Sequence, residues 1–220
     1  MKTPRSMAAA LGACFALLAL LGGARTARAQ AGDADADLAL DRLKVIRIEG
    51  AITSVARDYA ARGLAEATKA GTPLLVELDT PGGSTDTMSA IAGMFLNAEV
   101  PVLVWVGPEG AQAASAGTFL VLSAHGAGMA PRTRIGAASP VDGSGEDLQE
   151  TMLRKVTNDL SAQARSYAAR RGEKAADWAE QAVRQAASAT SDEALDLGVI
   201  DAVARDPAAL VAALDGHAVT

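Results

Sequence analysis

Three observations predict an α/β domain. Strand-like and helix-like stretches alternate along most of the chain, the pattern of a sheet whose strands are joined through helices. Residues 100–106, Val-Pro-Val-Leu-Val-Trp-Val, are apolar on both faces, as in a parallel strand covered from both sides. Of the 220 residues, 50% are apolar but only 3% aromatic. One domain with a core of Val, Leu, Ile, Ala and Met follows from those figures.

Residues 44–48, Lys-Val-Ile-Arg-Ile, are a short run rich in β-branched residues closed by Gly50 and predict the first strand. Residues 53–70 are alanine-rich with mixed charges and end at Gly71, which predicts a helix with Thr53 or Ser54 as N-cap. Residues 73–79 predict a second strand. Thr80-Pro-Gly-Gly83 then breaks the pattern, because proline lacks a donor and glycine admits backbone angles other residues avoid. Such a turn can simply join strand to helix, or it can present glycine N–H groups to a ligand. Residues 84–97 predict a helix with Met88, Ile91, Phe95 and Leu96 for the core, and 100–106 the third strand. Short strands are expected at 128–130 and 134–137, and a flexible Pro/Gly/Ser/Asp loop at 139–145. Residues 147–171 give the longest helix, with an apolar stripe of Leu148, Met152, Val156 and Leu160. A helix at 175–186, a capped helix start at Thr190-Ser-Asp-Glu193, a last strand at Val199-Ile200 and a terminal helix at 207–214 complete the domain.

The amino terminus has a different character. Lys2 and Arg5 precede an apolar run over 7–21, too short for a comfortable membrane span, and Ala27-Arg28-Ala29 offers the small residues a signal peptidase reads. A secretory signal cleaved after Ala29 is expected, with an uncleaved anchor as the alternative. Cys14 lies inside the apolar run rather than after it, which argues against a lipid anchor. Residues 30–42 are small and acidic and read as a linker, leaving 43–220 as the folded domain. Cleavage removes four basic residues and no acid, taking the formal charge from −6 to −10. An acidic exported protein is poorly suited to nucleic acid. Without Cys14 it has no thiol nucleophile, disulfide or cysteine-based metal site.

Gly110-Ala-Gln-Ala-Ala-Ser-Ala-Gly-Thr118 holds one serine, Ser115, among residues too small to hide it. A strand leads toward it and a helix-capable run, 116–122, leads away. A serine at such a turn sits at the positive end of a helix beside free N–H groups, a good setting for a nucleophile and its oxyanion. The same stretch also suits a turn built of small residues only for close packing. A nucleophile needs a base, and the histidines are poorly placed. His125 would lie about 15 Å along a helix from Ser115, and His217 is near the chain end, where fraying is expected. Of the four lysines after the leader, Lys44 starts a strand, Lys69 ends a helix among polar residues and Lys174 lies in a charged corner, whereas Lys155 borders the apolar stripe of 147–171. Apolar burial can lower a lysine pKa from about 10.4 to roughly 7–8, where the amine works as a base. Asp159, one turn on, offers an i,i+4 ion pair that would keep Lys155 charged. The helical wheel leaves both readings open.

Thr80-Pro-Gly-Gly83, the Ser115 stretch, Met129-Ala-Pro131, Ile135-Gly-Ala-Ala-Ser-Pro140, Asp177-Trp-Ala-Glu180, Ser191-Asp-Glu-Ala194 and Leu197-Gly-Val-Ile-Asp201 occur in an order that resembles the Clp-protease/crotonase fold. More narrowly, they resemble the membrane-associated serine proteases of the NfeD family, over about residues 45–201. The resemblance implies a Ser–Lys dyad, with Ser115 as nucleophile and Lys155 as general base. It implies an oxyanion hole at the amides of Gly83 and Ala116, peptide contacts at Gly82 and Ser84, and no cofactor or metal. Clp proteases proper carry a histidine where this chain has Ala138, which is consistent with the dyad branch. The same resemblance implies a stomatin-like membrane protein as substrate, cleaved near an apolar segment, an extracytoplasmic location and a homo-oligomer. Long family members continue into membrane helices and a small β-barrel, so a chain ending at Thr220 reads as a short member or a truncated gene. A catalytically silent scaffold of the same fold is the first rival reading. A crotonase-type acyl-CoA enzyme is the second, weakened because no well-placed Glu or Asp follows the second glycine-rich turn and because export removes it from acyl-CoA.

Overall fold

A parallel five-stranded sheet carries the site at the carboxyl ends of its central strands. The computed structural model describes residues 43–141 and 150–215. The expected leader, the linker through residue 42, most of the flexible loop with Leu148, and His217 lie outside the described residues. The elements are β1 Lys44–Glu49, α1 Ser54–Ala70, β2 Leu74–Asp79, α2 Thr85–Leu96, β3 Val102–Val106, β4 Gln112–Ala114, α3 Ala116–Ser123, β5 Gly126–Met129, β6 Arg134–Gly136, α4 Glu150–Ala168, α5 Glu173–Arg184, β7 Ser188–Thr190, α6 Ser191–Asp196, β8 Ala202–Val203 and α7 Pro207–Leu214, with a 3-10 turn Ala169–Arg171 between α4 and α5. The main sheet runs β1-β2-β3-β5-β8, every pair parallel. The second sheet runs β4-β6-β7, with β4 and β6 parallel and β6 and β7 antiparallel. The α/β class expected from the sequence is the class observed.

Each central element follows from its residues. β3 is buried at all five positions, as its two-faced apolar pattern requires. α1 ends at Gly71, a left-handed C-cap with φ 64°, where glycine carries no Cβ penalty. Gly63 of α1 faces β1, and a Cβ there would stand 2.6 Å from Ile46 Cγ2. Its bare Cα lets the helix lie directly on the strand. α3 is buried at all eight residues, as expected for a helix apolar on every side. Its Phe119, Leu120, Val121 and Leu122 are each at most 2% exposed, and full burial of such side chains contributes about 1.5–3 kcal/mol apiece. Phe119 meets Tyr167 of α4 edge to face at 6.5 Å. The Thr190 and Glu193 capping box of α6 forms as expected, and the Asp206 side chain caps α7 by accepting from the Ala209 N–H.

Three local expectations change. The last strand is Ala202–Val203, while Val199 and Ile200 are buried in a bend before it; their apolarity serves the core, not a ladder. β4 and β7 are three residues each and were not anticipated, since Gln-Ala-Ala and Ser-Ala-Thr lack a strong β pattern and pair through tertiary context. In α4 the buried face begins at Leu160 and continues through Ser161, Ala164 and Ala168, whereas Met152 of the expected stripe is 51% exposed and Val156 half-buried. Among the described residues no helix is long and apolar enough to cross a membrane.

His125 follows α3 at the amino end of β3. Its Nδ1 accepts from the Val102 N–H at 3.1 Å, and its backbone N–H donates to Val102 O at 2.8 Å. Arg170 and Arg171 donate to the carbonyl of Ala124 beside it, and Arg171 also pairs with Asp201 at 2.9 Å. Burial, and then the charge of Arg170, hold the His125 imidazole below the usual histidine range. A depressed folded-state pKa means that the unfolded chain takes up the proton first as pH falls. This contribution to stability is therefore full above about pH 6.5, the unfolded value, and is lost as pH drops through the lower folded value. His125→Asn keeps an acceptor for the Val102 N–H but does not titrate. Urea denaturation at about pH 7.5 and about pH 5 is expected to show a larger loss for wild type than for His125→Asn; parallel losses would contradict it.

Candidate active site

Ser115 occupies the turn between β4 and α3. Its backbone stands at φ 51°, ψ −116°, a strained conformation for a residue with a side chain, costing about 1–3 kcal/mol. Surrounding bonds hold it there. The Ser115 N–H donates to Gly136 O at 2.9 Å, and its carbonyl accepts from the Thr118 N–H at 3.0 Å. Its hydroxyl has no hydrogen-bond partner among the described residues. The side chain is half-buried at the amino end of a fully buried helix, where the helix dipole favours negative charge.

The double-glycine turn comes to the same place. Thr80, fully buried, pairs with Ala113 of β4: its N–H donates to Gln112 O at 2.7 Å, and its carbonyl accepts from the Ala114 N–H at 3.0 Å. Asp79 Oδ1 accepts from the Gln112 N–H at 3.0 Å. Two residues on, Gly82 lies against the serine itself. With φ 114°, it has no room for a side chain, since a Cβ would stand 2.6 Å from Ser115 Cβ and 3.1 Å from Ser115 Oγ.

Both polar backbone groups of Gly82 are engaged, its N–H with Thr80 Oγ1 at 3.0 Å and its carbonyl with the Ile52 N–H at 2.8 Å. Ser84 donates its N–H to Ile52 O at 3.0 Å, and its hydroxyl caps α2 by accepting from the Thr87 N–H. Gly83 lies between them, bridged to Ile52. Because the bonds to Ile52 come from residues 82 and 84, the N–H and C=O of Gly83 point to the opposite side of this short extended segment. Neither the Gly83 nor the Ala116 N–H has a partner among the described residues.

Gly83, Ser115 and Ala116 line one cleft enclosing about 50 Å³, the scale of a small side chain. Its remaining walls are Thr85 and Met88 of α2, Phe119 of α3, Leu160 of α4 and the segment 138–141. Among the described residues, no ionisable side chain lines it. Ala138 stands in the wall, and His125 is at the other end of β3. Sequence reasoning did not assign the remaining wall residues to the site: Met88, Phe119 and Leu160 read only as apolar positions of helices, and Ser139, Pro140 and Val141 only as part of a flexible loop.

Lys155 is not among the lining residues. It sits exposed in the first half of α4, and among the described residues neither it nor Asp159 forms an ion pair. The structure thus brings Ser115, Ala116, Gly82 and Gly83 together and leaves Lys155 outside the cleft.

With this geometry in hand, the NfeD1b N-terminal domain profile matches residues 42–214. The chain belongs to that family. It is 39% identical over 173 residues to the membrane-bound protease PH1510 of Pyrococcus horikoshii, covering 77% of this chain and 38% of that protein. The chain therefore spans under two fifths of the relative's length. A solved serine-to-alanine mutant of the 1510-N membrane-bound stomatin-specific protease superposes with TM-score 0.73 at 36% identity, covering 79% of this chain and 84% of the other. ClpP1 from Listeria monocytogenes superposes with TM-score 0.61 at 15% identity, covering 76% and 94%. That likeness shows the fold, which is ClpP-like.

The contact of Gly82 with Ser115 gives a direct expectation. Gly82→Ala combines strained φ with a 2.6 Å clash and is expected to destabilise the protein by about 1–3 kcal/mol. Chemical denaturation measures this, and unchanged stability would contradict the close approach.

Proposed function

We propose that this NfeD1b-family domain is an exported serine endopeptidase in which Ser115 is the nucleophile and Lys155 the general base. The reading rests above all on the strained Ser115 turn, whose hydroxyl, like the amides of Gly83 and Ala116 in the same cleft, has no hydrogen-bond partner among the described residues. Ser115 Oγ adds to the scissile carbonyl carbon as its proton passes to Lys155 Nζ. The Gly83 and Ala116 amides hold the resulting oxyanion. Collapse expels the amine, which takes its proton back from Lys155, and water then hydrolyses the acyl-enzyme by the same relay. No cofactor or metal enters these steps. The peptide lies extended along the free edge of Gly83, and Gly82 and Ser84, with their polar groups already engaged, line its path through bare backbone and Cα surface.

Lys155 must be desolvated to act, because a lysine in water is protonated at neutral pH. Met152, Leu153 and Val141 are 51%, 38% and 84% exposed, and a bound apolar peptide or a second copy in a homo-oligomer would cover them and lower the polarity around Lys155. Two solved structures of one relative support the assignment. The 1510-N protease has been solved as a serine-to-alanine mutant and, with a substrate peptide bound, as a lysine-to-alanine mutant. In that protein the two replaced residues lie one position further apart than Ser115 and Lys155. Since that protease is stomatin-specific, the proposed substrate is an apolar segment of a stomatin-like membrane protein on the extracytoplasmic side. The exposure of Lys155 also suits a catalytically silent scaffold of the same fold, which would keep the peptide groove and lack turnover.

Hydrolysis of an apolar peptide is expected for the wild type and lost in Ser115→Ala. Lys155→Ala is expected to fall by about 10²–10⁴. Equal activity in all three proteins would refute the dyad, and peptide binding without Ser115-dependent turnover would establish the scaffold.

A further inference from the structure

One buried hydroxyl ties together the strands that meet at Ser115. Thr118 sits in the first turn of α3 and is 1% exposed. Its Oγ1 is 3.0 Å from Ala113 O and 3.2 Å from Gly136 O, both acceptors for its single proton, and it accepts from the Gly136 N–H at 3.1 Å. Gly136 O also accepts the Ser115 N–H at 2.9 Å. The hydroxyl therefore spans the end of β4, which leads into Ser115, and the end of β6, whose carbonyl fixes the Ser115 amide.

Gly136 cannot be held in this way by another residue type. Its φ is 124°, and a Cβ would stand 2.3 Å from Ala187 O. The next residue, Ala137, donates its N–H to the same Ala187 O at 2.8 Å, and Ala138 donates to Ala182 O at 2.9 Å. Residues 138–141, which follow, form one wall of the cleft. A displacement of Gly136 would thus move both the Ser115 amide and that wall.

We propose that Thr118 is a positioning residue, whose hydroxyl clamps Gly136 to the nucleophile turn and so holds Ser115 in its strained conformation. The inference rests on the reading of Ser115 as nucleophile. A hydroxyl is needed because the site requires a donor to a carbonyl and an acceptor for an N–H in a single buried atom. Valine matches the shape and supplies neither, removing the hydroxyl's bonds to the carbonyls of Ala113 and Gly136 and to the Gly136 N–H, and leaving the β4–β6 ladder alone to hold Gly136. Relief of the strained turn is then expected to carry Ser115 Oγ away from the Gly83 and Ala116 amides, with little change in the core around it.

The test compares full-length wild type, Thr118→Val and Thr118→Ser by the rate at which a fluorophosphonate probe labels Ser115, with circular dichroism and thermal melting as the control for folding. Thr118→Val is expected to remain folded and to label at least tenfold more slowly. Thr118→Ser, which restores the hydroxyl, is expected to label within threefold of wild type. A folded Thr118→Val that labels at the wild-type rate overturns the inference while leaving Ser115 as nucleophile. Should Thr118→Val fail to fold, Thr118→Ser decides: labelling within threefold of wild type supports the hydroxyl clamp, and a greater loss overturns it. Absence of labelling in wild type refutes the nucleophile reading itself, and this inference with it.

Discussion

The pairing of Thr80 with Ala113 is the junction on which the site depends. β2 belongs to the five-stranded sheet and β4 to the three-stranded one, and this single bridge joins the continuation of one to the other. It fixes the start of the double-glycine turn against the approach to Ser115. The geometry admits little slack. A Cβ on Gly117 would meet Thr80 Cγ2 at 2.5 Å, and one on Gly82 would meet Ser115. Small residues are required here because two backbones and a helix start converge within van der Waals contact. Polar groups brought so close need partners, and those of Thr80 are satisfied by Gln112, Ala114 and Gly82.

From that junction the division of labour among neighbouring residues follows. Residues 82 and 84 use their backbone to grip Ile52, which leaves residue 83 facing the other way with its N–H unengaged. The tight start of α3 does the same for Ala116. The proposed oxyanion site is made of amides left over when the groups around them have been paired, and the bonds on either side would preorganise it. The strain at Ser115 is sustained because the fully buried α3 and the Gly136 contact overdetermine the turn.

Much of this was legible in the sequence, because small residues have few uses. The double glycine after a strand and the lone serine before an apolar helix marked the two turns, and the rejection of His125 followed from helix length alone. The structure gives His125 a separate task as an acceptor at the far end of β3. What could not be read were contacts set by tertiary packing. β4 and β7 have no pattern of their own, and Val199 and Ile200 look like a strand because burial and β-branching coincide. In the sequence Thr118 reads as one more small residue in a small-residue run. The wheel for α4 placed Met152 inward, but the wheel knows periodicity and not where the neighbouring core stops. The fully buried face begins at Leu160, so Lys155 lies exposed in a half of the helix where only Val156, packed against the core, and Thr157 are half-buried.

The central claim, that Ser115 attacks a carbonyl whose oxygen is received by Gly83 and Ala116, is tested most directly by a crystal structure of the protein with a peptide boronate or peptide phosphonate. A covalent bond to Ser115 Oγ is expected, with one adduct oxygen about 2.7–3.1 Å from both amide nitrogens. An adduct on another residue, or one on Ser115 whose oxygens avoid both amides, would contradict it.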